Sequence, residues 1–323
     1  MTKTPDTTQQ PRAYVEPDVL SESLALLHVR GQVGSRTEAK APWGLQLPVS
    51  ESYFHVIERG SCWLQIDGTP NAIRLDTGDA VILPHGHAHR LTDAPGREVV
   101  SLERALESQQ DGVVRLGSEG AATDIVCGMF RFDDAMGHPL LESLPALLHV
   151  QGASSQALEY KEMVLRFLTH EVRHPHLGAE AVVARLVELL FVQTVRSWID
   201  AQPEGAGGWL VALRHPIIRT VLASLHAAPA REWTVSDLAL KAGMSRSALS
   251  ALFRDLVGVS PMAYLARWRL LLAARVLRDE GVSVREAADR VGYDAEAAFS
   301  RAFKRQYGVA PATYRQQSAA VAA

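Results

Sequence analysis

The sequence predicts a multidomain α+β protein: an N-terminal β-barrel with a helical segment, followed by an all-α domain in which a long helix joins two helix-turn-helix motifs. Short apolar runs alternate with Gly, Pro, Asn and Asp turns up to residue 131, which is typical of an all-β fold. Apolar residues recur at helical spacing from residue 158 to 199, and a segment of about fifty residues repeats after residue 214. The predicted divisions are a flexible tail (1–19), a β domain (20–140), a helical dimerisation segment (141–200), a linker (201–213), a helical domain (214–317) and a C-terminal tail (318–323).

Composition places the chain among ordinary globular proteins. Of its 323 residues, 47% are hydrophobic and 21% are charged, a mixture too apolar for a disordered chain. Two cysteines are too few for a disulfide framework, and the polar residues 1–18 lack the apolar stretch of a signal peptide. The most apolar stretch, 181–195, carries charges and is too short to span a bilayer. We therefore expect a cytoplasmic protein without a membrane span.

The net charge of −3 conceals an asymmetry along the chain. Residues 214–315 contain 16 Lys and Arg against 9 Asp and Glu, whereas the remainder contains 17 against 27. A basic region on an otherwise acidic chain suggests a polyanionic partner for that region, because neutralisation of phosphates dominates nucleic-acid affinity. A solvated basic surface is the alternative.

The β domain and the helical segment are predicted from local patterns. Strands are expected at 53–57, 62–66, 72–75 and 80–83. Stretches 158–170 and 179–199 predict a helical pair, and the apolar positions of the second exceed what one packing face needs, which favours a homodimer. Residues 201–208 contain Gly and Pro without apolar periodicity and predict a linker.

The helical domain contains two copies of one helix-turn-helix pattern. Each copy has a capping box that starts its first helix, a glycine at the turn, a cap for the second helix and a glycine at the end of that helix. These residues are Thr234 with Asp237, Gly243, Ser245 and Gly258 in the first copy, and Ser283 with Glu286, Gly292, Asp294 and Gly308 in the second. A helix from residue 261 to 279 is expected to join the copies and to determine their distance.

Ten ordered positions near the end of the chain form a family signature: Gly292, Tyr293, Phe299, Ser300, Phe303, Lys304, Gly308, Pro311, Tyr314 and Arg315. Through them, residues 214–315 resemble the DNA-binding domain of the AraC/XylS family of transcription regulators. The resemblance implies sequence-specific binding of double-stranded promoter DNA in two successive major grooves and contact with RNA polymerase. We expect an activator, and a repressor is the alternative.

The same resemblance places recognition helices at 246–256 and 295–307. The outward positions, where the family reads bases, are Arg246, Ser247 and Ser250 in the first helix and Glu296, Ala297 and Arg301 in the second. Arg301 is the strongest candidate for base contact, because a guanidinium can bind guanine through two hydrogen bonds. A phosphate-facing or solvent-facing Arg301 is the alternative, and Lys304 and Arg305 are expected to contact phosphates.

Residues 78–89 carry a second, independent motif. Gly78, Pro84, Gly86 and His89 fit the pattern G(X)5PXGXXH, in which a turn, a strand and a Pro-Gly bend direct a histidine into a small barrel. The stretch resembles the cupin-type sensing domain that precedes the DNA-binding domain in one AraC-type subgroup. The resemblance implies a small-molecule effector.

The other cupin motif, HXH followed by a glutamate, is altered. Tyr53 occupies the first histidine position, His55 the second and Arg59 the glutamate position. A cation there disfavours a divalent ion and favours a polar or anionic organic effector. We therefore expect no cofactor and a metal-free pocket with Tyr53, His55, Arg59 and His89 as effector contacts. The alternative is a metal ion held by His55, His85, His87 and His89.

Together these patterns predict a transcription regulator that is not an enzyme. One alternative is a cupin-type metalloenzyme, or a metal or redox sensor, with an appended DNA-binding domain. Another is a DNA-binding or oligomerising module without a ligand. A redox switch would need the Cα atoms of Cys62 and Cys127 within about 7 Å, and buried inert thiols are our expectation.

Overall fold

The computed structural model describes residues 18–27, 29–132, 138–152, 158–174, 176–203 and 207–322. Most of the predicted N-terminal tail and the centre of the predicted linker lie outside these residues. The strands are β1 (Val29–Lys40), β2 (Gly44–Leu47), β3 (Tyr53–Arg59), β4 (Ser61–Ile66), β5 (Ile73–Asp76), β6 (Ala80–Leu83), β7 (His89–Thr92), β8 (Val100–Ser101), β9 (Val113–Gly117), β10 (Ala122–Phe132) and β11 (Leu148–Val150). The helices are α1 (Val19–Leu27), α2 (Leu102–Glu107), α3 (Pro139–Ser143), α4 (Leu158–Arg173), α5 (Ala179–Ala201), α6 (Trp209–Ala212), α7 (Pro216–Ala227), α8 (Val235–Lys241), α9 (Arg246–Val257), α10 (Pro261–Asp279), α11 (Val284–Arg290), α12 (Glu296–Tyr307) and α13 (Pro311–Ala322).

The strands form two sheets that enclose an apolar core. One sheet has the order β11-β6-β3-β10-β1-β9, and the other has the order β5-β4-β7-β2-β8. Successive side chains of a strand point to opposite faces. On β3, Tyr53 and Ile57 therefore join the core between the sheets, whereas Phe54 and Val56 join the core on the helical side. This cupin-like barrel confirms the predicted α+β architecture.

The outer face of the larger sheet is covered by helices. The helix α5 packs on β1 so closely that a Cβ at Gly31 would overlap the side chain of Val187. The rings of Phe130 on β10 and Phe191 on α5 lie 5.2 Å apart. A missing side chain and an aromatic contact thus anchor α5, and α4 packs beside it.

Four elements differ from the local expectations. The helix α1 lies where an all-β rhythm was expected, because it buries Val19, Leu26 and Leu27 in the apolar core that it shares with α7 and α10. The strand β11 pairs with β6 inside the segment expected to be helical. The helix α6 occupies part of the predicted linker and buries Trp209 and Leu210. The predicted C-terminal tail begins within α13, which continues to residue 322.

The helical domain has the predicted layout, with the pairs α8–α9 and α11–α12 on either side of α10. With 19 residues, α10 is about 28 Å long. The capping box of Thr234 and Asp237 is complete, whereas Ser283 accepts the amide of Glu286 without a reciprocal bond. Asp294 is not the expected cap, because α12 begins at Glu296 and has no side-chain cap.

A buried polar chain joins the first helix to the helical domain. Nε1 of Trp209 donates a hydrogen bond to the hydroxyl of Tyr264 (2.9 Å), which donates to Nε2 of His226 (2.7 Å). Nδ1 of His226 donates to the carboxylate of Glu22 on α1 (2.9 Å). Burial lowers the pKa of His226, in agreement with the neutral ring that this donor order requires. The chain connects α1, α6, α7 and α10.

Candidate nucleic-acid interface

The side chains predicted to contact DNA lie on the open faces of α9 and α12. All are exposed except Ser250, which is half-buried: Arg246, Ser247, Ser250, Glu296, Ala297, Arg301, Lys304 and Arg305. The opposite faces of the two helices are fully buried through Leu249 and Phe253 on α9, and through Phe299 and Phe303 on α12. Each helix therefore packs on the core with one face and exposes the opposite face to solvent, as insertion into a DNA groove requires.

The two helices differ in charge. On α12 the charged side chains are Glu296, Arg301, Lys304 and Arg305, whereas the equivalent positions of α9 are Arg246, Ala251, Arg254 and Asp255. The three cations on α12 suit contacts with phosphates, and their N–H groups can donate hydrogen bonds to guanine. The short side chains of Ser247 and Ser250 leave α9 less able to reach bases.

Arg269 on α10, which sequence analysis missed, connects the two motifs. Its guanidinium donates hydrogen bonds to the carbonyl oxygens of Pro229 (2.7 Å), Arg231 (2.9 Å) and Gly292 (3.1 Å). Pro229 and Arg231 precede the first motif, and Gly292 lies in the turn of the second. Because a guanidinium is planar and its donors have fixed directions, this arrangement restricts the relative orientation of the motifs.

Inside the barrel, His55 and His89 meet in a mostly apolar core. Their Nε2 atoms are 2.8 Å apart, Nδ1 of His55 is 3.0 Å from Sγ of Cys127, and Nδ1 of His89 is 2.8 Å from the carbonyl oxygen of His87. A carbonyl oxygen only accepts, so His89 carries its proton on Nδ1. His55 therefore donates from Nε2 to His89, and the thiol of Cys127 donates to Nδ1 of His55.

Both histidines of this pair are neutral at pH 7. Burial lowers the pKa of His55 well below its ordinary value, and the neighbouring His89 lowers it further. Burial also lowers the pKa of His89 to about 4. Neutral rings are what the donor order from Cys127 to His89 requires, because each imidazole then has one N–H and one acceptor nitrogen.

Tyr53 lies beside this pair, whereas Arg59 does not. The rings of Tyr53 and His89 have centroids 5.0 Å apart, and the hydroxyl of Tyr53 donates to the carbonyl oxygen of Pro48 (2.9 Å). Arg59 is exposed at the end of β3 and lines a separate cavity of about 550 Å³ with Arg115 and other residues. The structure therefore corrects the expectation that Arg59 shares a pocket with the two histidines.

The alternative four-histidine metal site is not assembled. The rings of His85 and His87 lie 5.8 Å apart, and Nε2 of His85 is 3.0 Å from the carbonyl oxygen of Leu144. Within the described ranges, no three His, Cys, Asp or Glu side chains converge as metal ligands would. His55 uses its two nitrogens toward two different neighbours, so the barrel residues do not form an open ligand set.

Cys62 and Cys127 are buried, free thiols. Burial raises the pKa of both, that of Cys127 to about 12. Because the thiolate is the reactive form, a raised pKa disfavours oxidation at neutral pH. The burial and the pKa direction support the expectation of inert thiols.

Comparison with known proteins gives the same two-part organisation. A family model described as Cupin matches residues 18–200, and one described as Helix-turn-helix domain matches residues 238–317. A putative AraC-like transcription regulator of Streptomyces lividans is 33% identical, over 93% of this chain and 98% of its own length. The HTH-type transcriptional regulator AlkR of Acinetobacter baylyi is 32% identical, over 93% of this chain and 100% of its own length. A similar solved structure is the crystal structure of the DNA-binding domain of AdpA, the global transcriptional factor, in complex with a target DNA. The sequence of that domain is 35% identical to this one, and the match covers 32% of this chain and 94% of that chain with a TM-score of 0.31.

Proposed function

The chain belongs to the AraC family of DNA-binding transcription regulators with an N-terminal cupin domain, and from this we propose that α9 and α12 read promoter DNA in two successive major grooves. The observation that carries the proposal is the pair of equivalent helices, each buried on one face and open on the other, on either side of α10. Arg301 reads a guanine, because its guanidinium can donate two hydrogen bonds to that base. Lys304 and Arg305 contact phosphates, and Arg246, Ser247 and Ser250 act through phosphates or DNA shape.

The experiment is selection of DNA sites by the full-length protein, followed by fluorescence anisotropy on the selected site. We expect two sequence elements about one helical turn apart and an affinity that falls steeply with salt. Binding that is equal on all sequences, or absent at low salt, would contradict the proposal.

We propose that the barrel senses a small polar or anionic effector through Tyr53, His55 and His89. Two imidazoles and a thiol in an apolar core cost free energy of desolvation, so core packing alone does not favour them. An effector that forms hydrogen bonds with His55 or His89 would change which ring nitrogens donate and which accept between Cys127, His55 and His89. A thermal-shift screen of organic acids and alcohols tests this, with His55→Asn expected to lose the shift, while a panel without any stabilising compound would favour a ligand-free module.

We propose that the signal from the barrel reaches the DNA-binding domain through α1. The chain from Glu22 through His226 to Tyr264 and Trp209 joins α1 to two helices of the DNA-binding domain. We expect Glu22→Gln to change DNA affinity or effector response while the exposed control Glu103→Gln does not. Equal behaviour of the two variants would exclude this route.

The helical pair supports a homodimer with a second copy of the chain. Met163 and Phe167 on α4 are 62% and 51% exposed, and Val182 and Leu189 on α5 are also exposed. Large apolar side chains repeated along a helix face favour association. Light scattering of the full-length protein should show a dimer that Phe167→Asp weakens, and a monomer at tens of micromolar, well above a dissociation constant on the order of 1 μM, would count against it.

The described residues include no helix long and apolar enough to cross a membrane. The relatives are transcription regulators, and we propose that this chain likewise acts on promoters with RNA polymerase, as an activator without enzymatic activity. Promoter DNA as the partner implies the cytoplasm as its location. Run-off transcription with and without the protein tests activation, because an activator raises transcript yield.

A further inference from the structure

His170 lies in the last turn of α4, and His174 directly follows that helix with its backbone N–H bonded to the carbonyl oxygen of His170 (3.0 Å). Neither residue is among those proposed to contact DNA. Both are exposed, and their ring centroids are 4.9 Å apart. Side chains four residues apart share one face of a helix. Residues 170–174 read His-Glu-Val-Arg-His, a spacing that lets two imidazoles share one zinc ion.

The orientation of His174 suits a metal ligand. Its Nδ1 donates to the carbonyl oxygen of His170 (3.3 Å). Because a carbonyl oxygen only accepts, the neutral form of this ring carries its proton on Nδ1 and its lone pair on Nε2. Histidines that bind metals are commonly held by such a bond from the other ring nitrogen to a backbone carbonyl.

The two imidazoles also line a cavity of about 540 Å³ between α4 and β3. Glu58 lines the same cavity with a side chain that is only 3% exposed. Its Oε2 pairs with Arg173 (2.7 Å) and with Arg36 (3.4 Å), whereas its Oε1 has no hydrogen-bond partner among the described residues. A buried carboxylate oxygen without a donor favours a cation or a metal-bound water nearby. Glu58, together with Asp124 at 3.7 Å, also offsets the charge of Arg173.

We propose that His170 and His174 bind a divalent transition metal ion of the Zn²⁺ or Cu²⁺ class, with water at the remaining positions. Imidazole nitrogen suits both ions. No third protein ligand converges on the pair in the part of the chain that the structure describes. A catalytic zinc usually needs three protein ligands, so the site binds an exchangeable ion and is not that of a protease.

The test is calorimetric titration of the full-length, untagged protein with ZnCl₂. We expect His170→Gln and His174→Gln each to weaken binding at least about tenfold. His176→Gln, which changes another exposed histidine two residues further on, should retain it. Because all three side chains are exposed, the unfolding temperature without zinc should be the same in every variant.

Electron paramagnetic resonance of bound Cu²⁺ gives an independent measurement. Two nitrogen ligands are expected in the wild type and one in each single variant. Equal zinc affinity of the wild type and the His170→Gln, His174→Gln double variant would overturn the proposal. Loss of binding in His176→Gln alone, or a copper spectrum without nitrogen ligands, would also overturn it.

Discussion

Gly292 lies directly against the backbone of Ala230. Its φ is +81°, and a Cβ at this position would overlap the carbonyl oxygen of Ala230 and lie 2.7 Å from its Cα. Gly243, the equivalent residue of the first motif, has a φ of +64°, but no atom would lie within 4 Å of an added Cβ. The same glycine of the repeat therefore has two roles. In the first motif it allows the turn, and in the second it also lets two segments touch.

Substitution of these two glycines should separate the roles. Gly243→Ala strains only a left-handed backbone and should cost about 1 kcal/mol of unfolding free energy. Gly292→Ala adds steric overlap with Ala230 and should cost about 3 kcal/mol. Urea unfolding of the full-length variants measures both values. Equal losses would mean that the contact with Ala230 is not maintained in solution.

Arg269 should matter for both stability and DNA recognition. Arg269→Ala leaves the carbonyl oxygens of Pro229, Arg231 and Gly292 without this donor, which should cost about 1–3 kcal/mol of unfolding free energy. Because the orientation of the motifs is then less restricted, affinity for a site with two elements should fall as well. Arg275→Ala on the same helix, which removes an exposed pair with Asp279, is the control. Wild-type DNA affinity for Arg269→Ala in anisotropy titrations would refute the proposed role.

Replacement of Arg301 and replacement of Lys304 should change DNA binding in different ways. Arg301→Ala should cost about 1–3 kcal/mol on the preferred site and relax preference at one base position. Lys304→Ala should weaken binding uniformly and reduce the salt slope by about 1. Anisotropy titrations on the selected site and on single-base variants, at several salt concentrations, measure both effects. A uniform loss for Arg301→Ala would assign Arg301 to phosphate instead.

The barrel should lose stability as the pH falls. An unfolded histidine takes up a proton near its ordinary pKa of 6.5, whereas burial lowers the pKa of His89 in the folded protein to about 4. Between these values the unfolded state binds more protons, so the unfolding free energy decreases from pH 6.5 to pH 4, by about 3 kcal/mol for this group. Urea midpoints across this range should decrease less steeply in His89→Asn than in the control His176→Gln. The same slope in both variants would exclude His89 as a source of the acid sensitivity.

Much of the helical domain could be predicted from local patterns. The caps at Thr234 and Ser245, the turn glycines and the four-residue spacing of Phe299 and Phe303 act within one or two turns of helix. The recognition helices consequently begin and end within a residue or two of their predicted bounds. The prediction of Asp294 as a cap was wrong because the turn after Gly292 is one residue longer than the turn after Gly243. Ala295 therefore takes the N-cap position of α12, whereas Ser245 takes that of α9.

The sequence by itself determined the order of the two parts, the repeat with its exposed recognition faces, and the presence of a barrel with His55 and His89. Only the tertiary structure decided what these residues contact. His55 pairs with His89 and Cys127, Arg59 stands apart, and α1 bonds to α7 through Glu22 and His226. Local patterns predict helices and turns because the energies of caps and turns depend on residues that are neighbours in the sequence. The bonds between Glu22 and His226, or Arg269 and Gly292, depend instead on how distant segments pack, and no periodicity in the sequence encodes that packing.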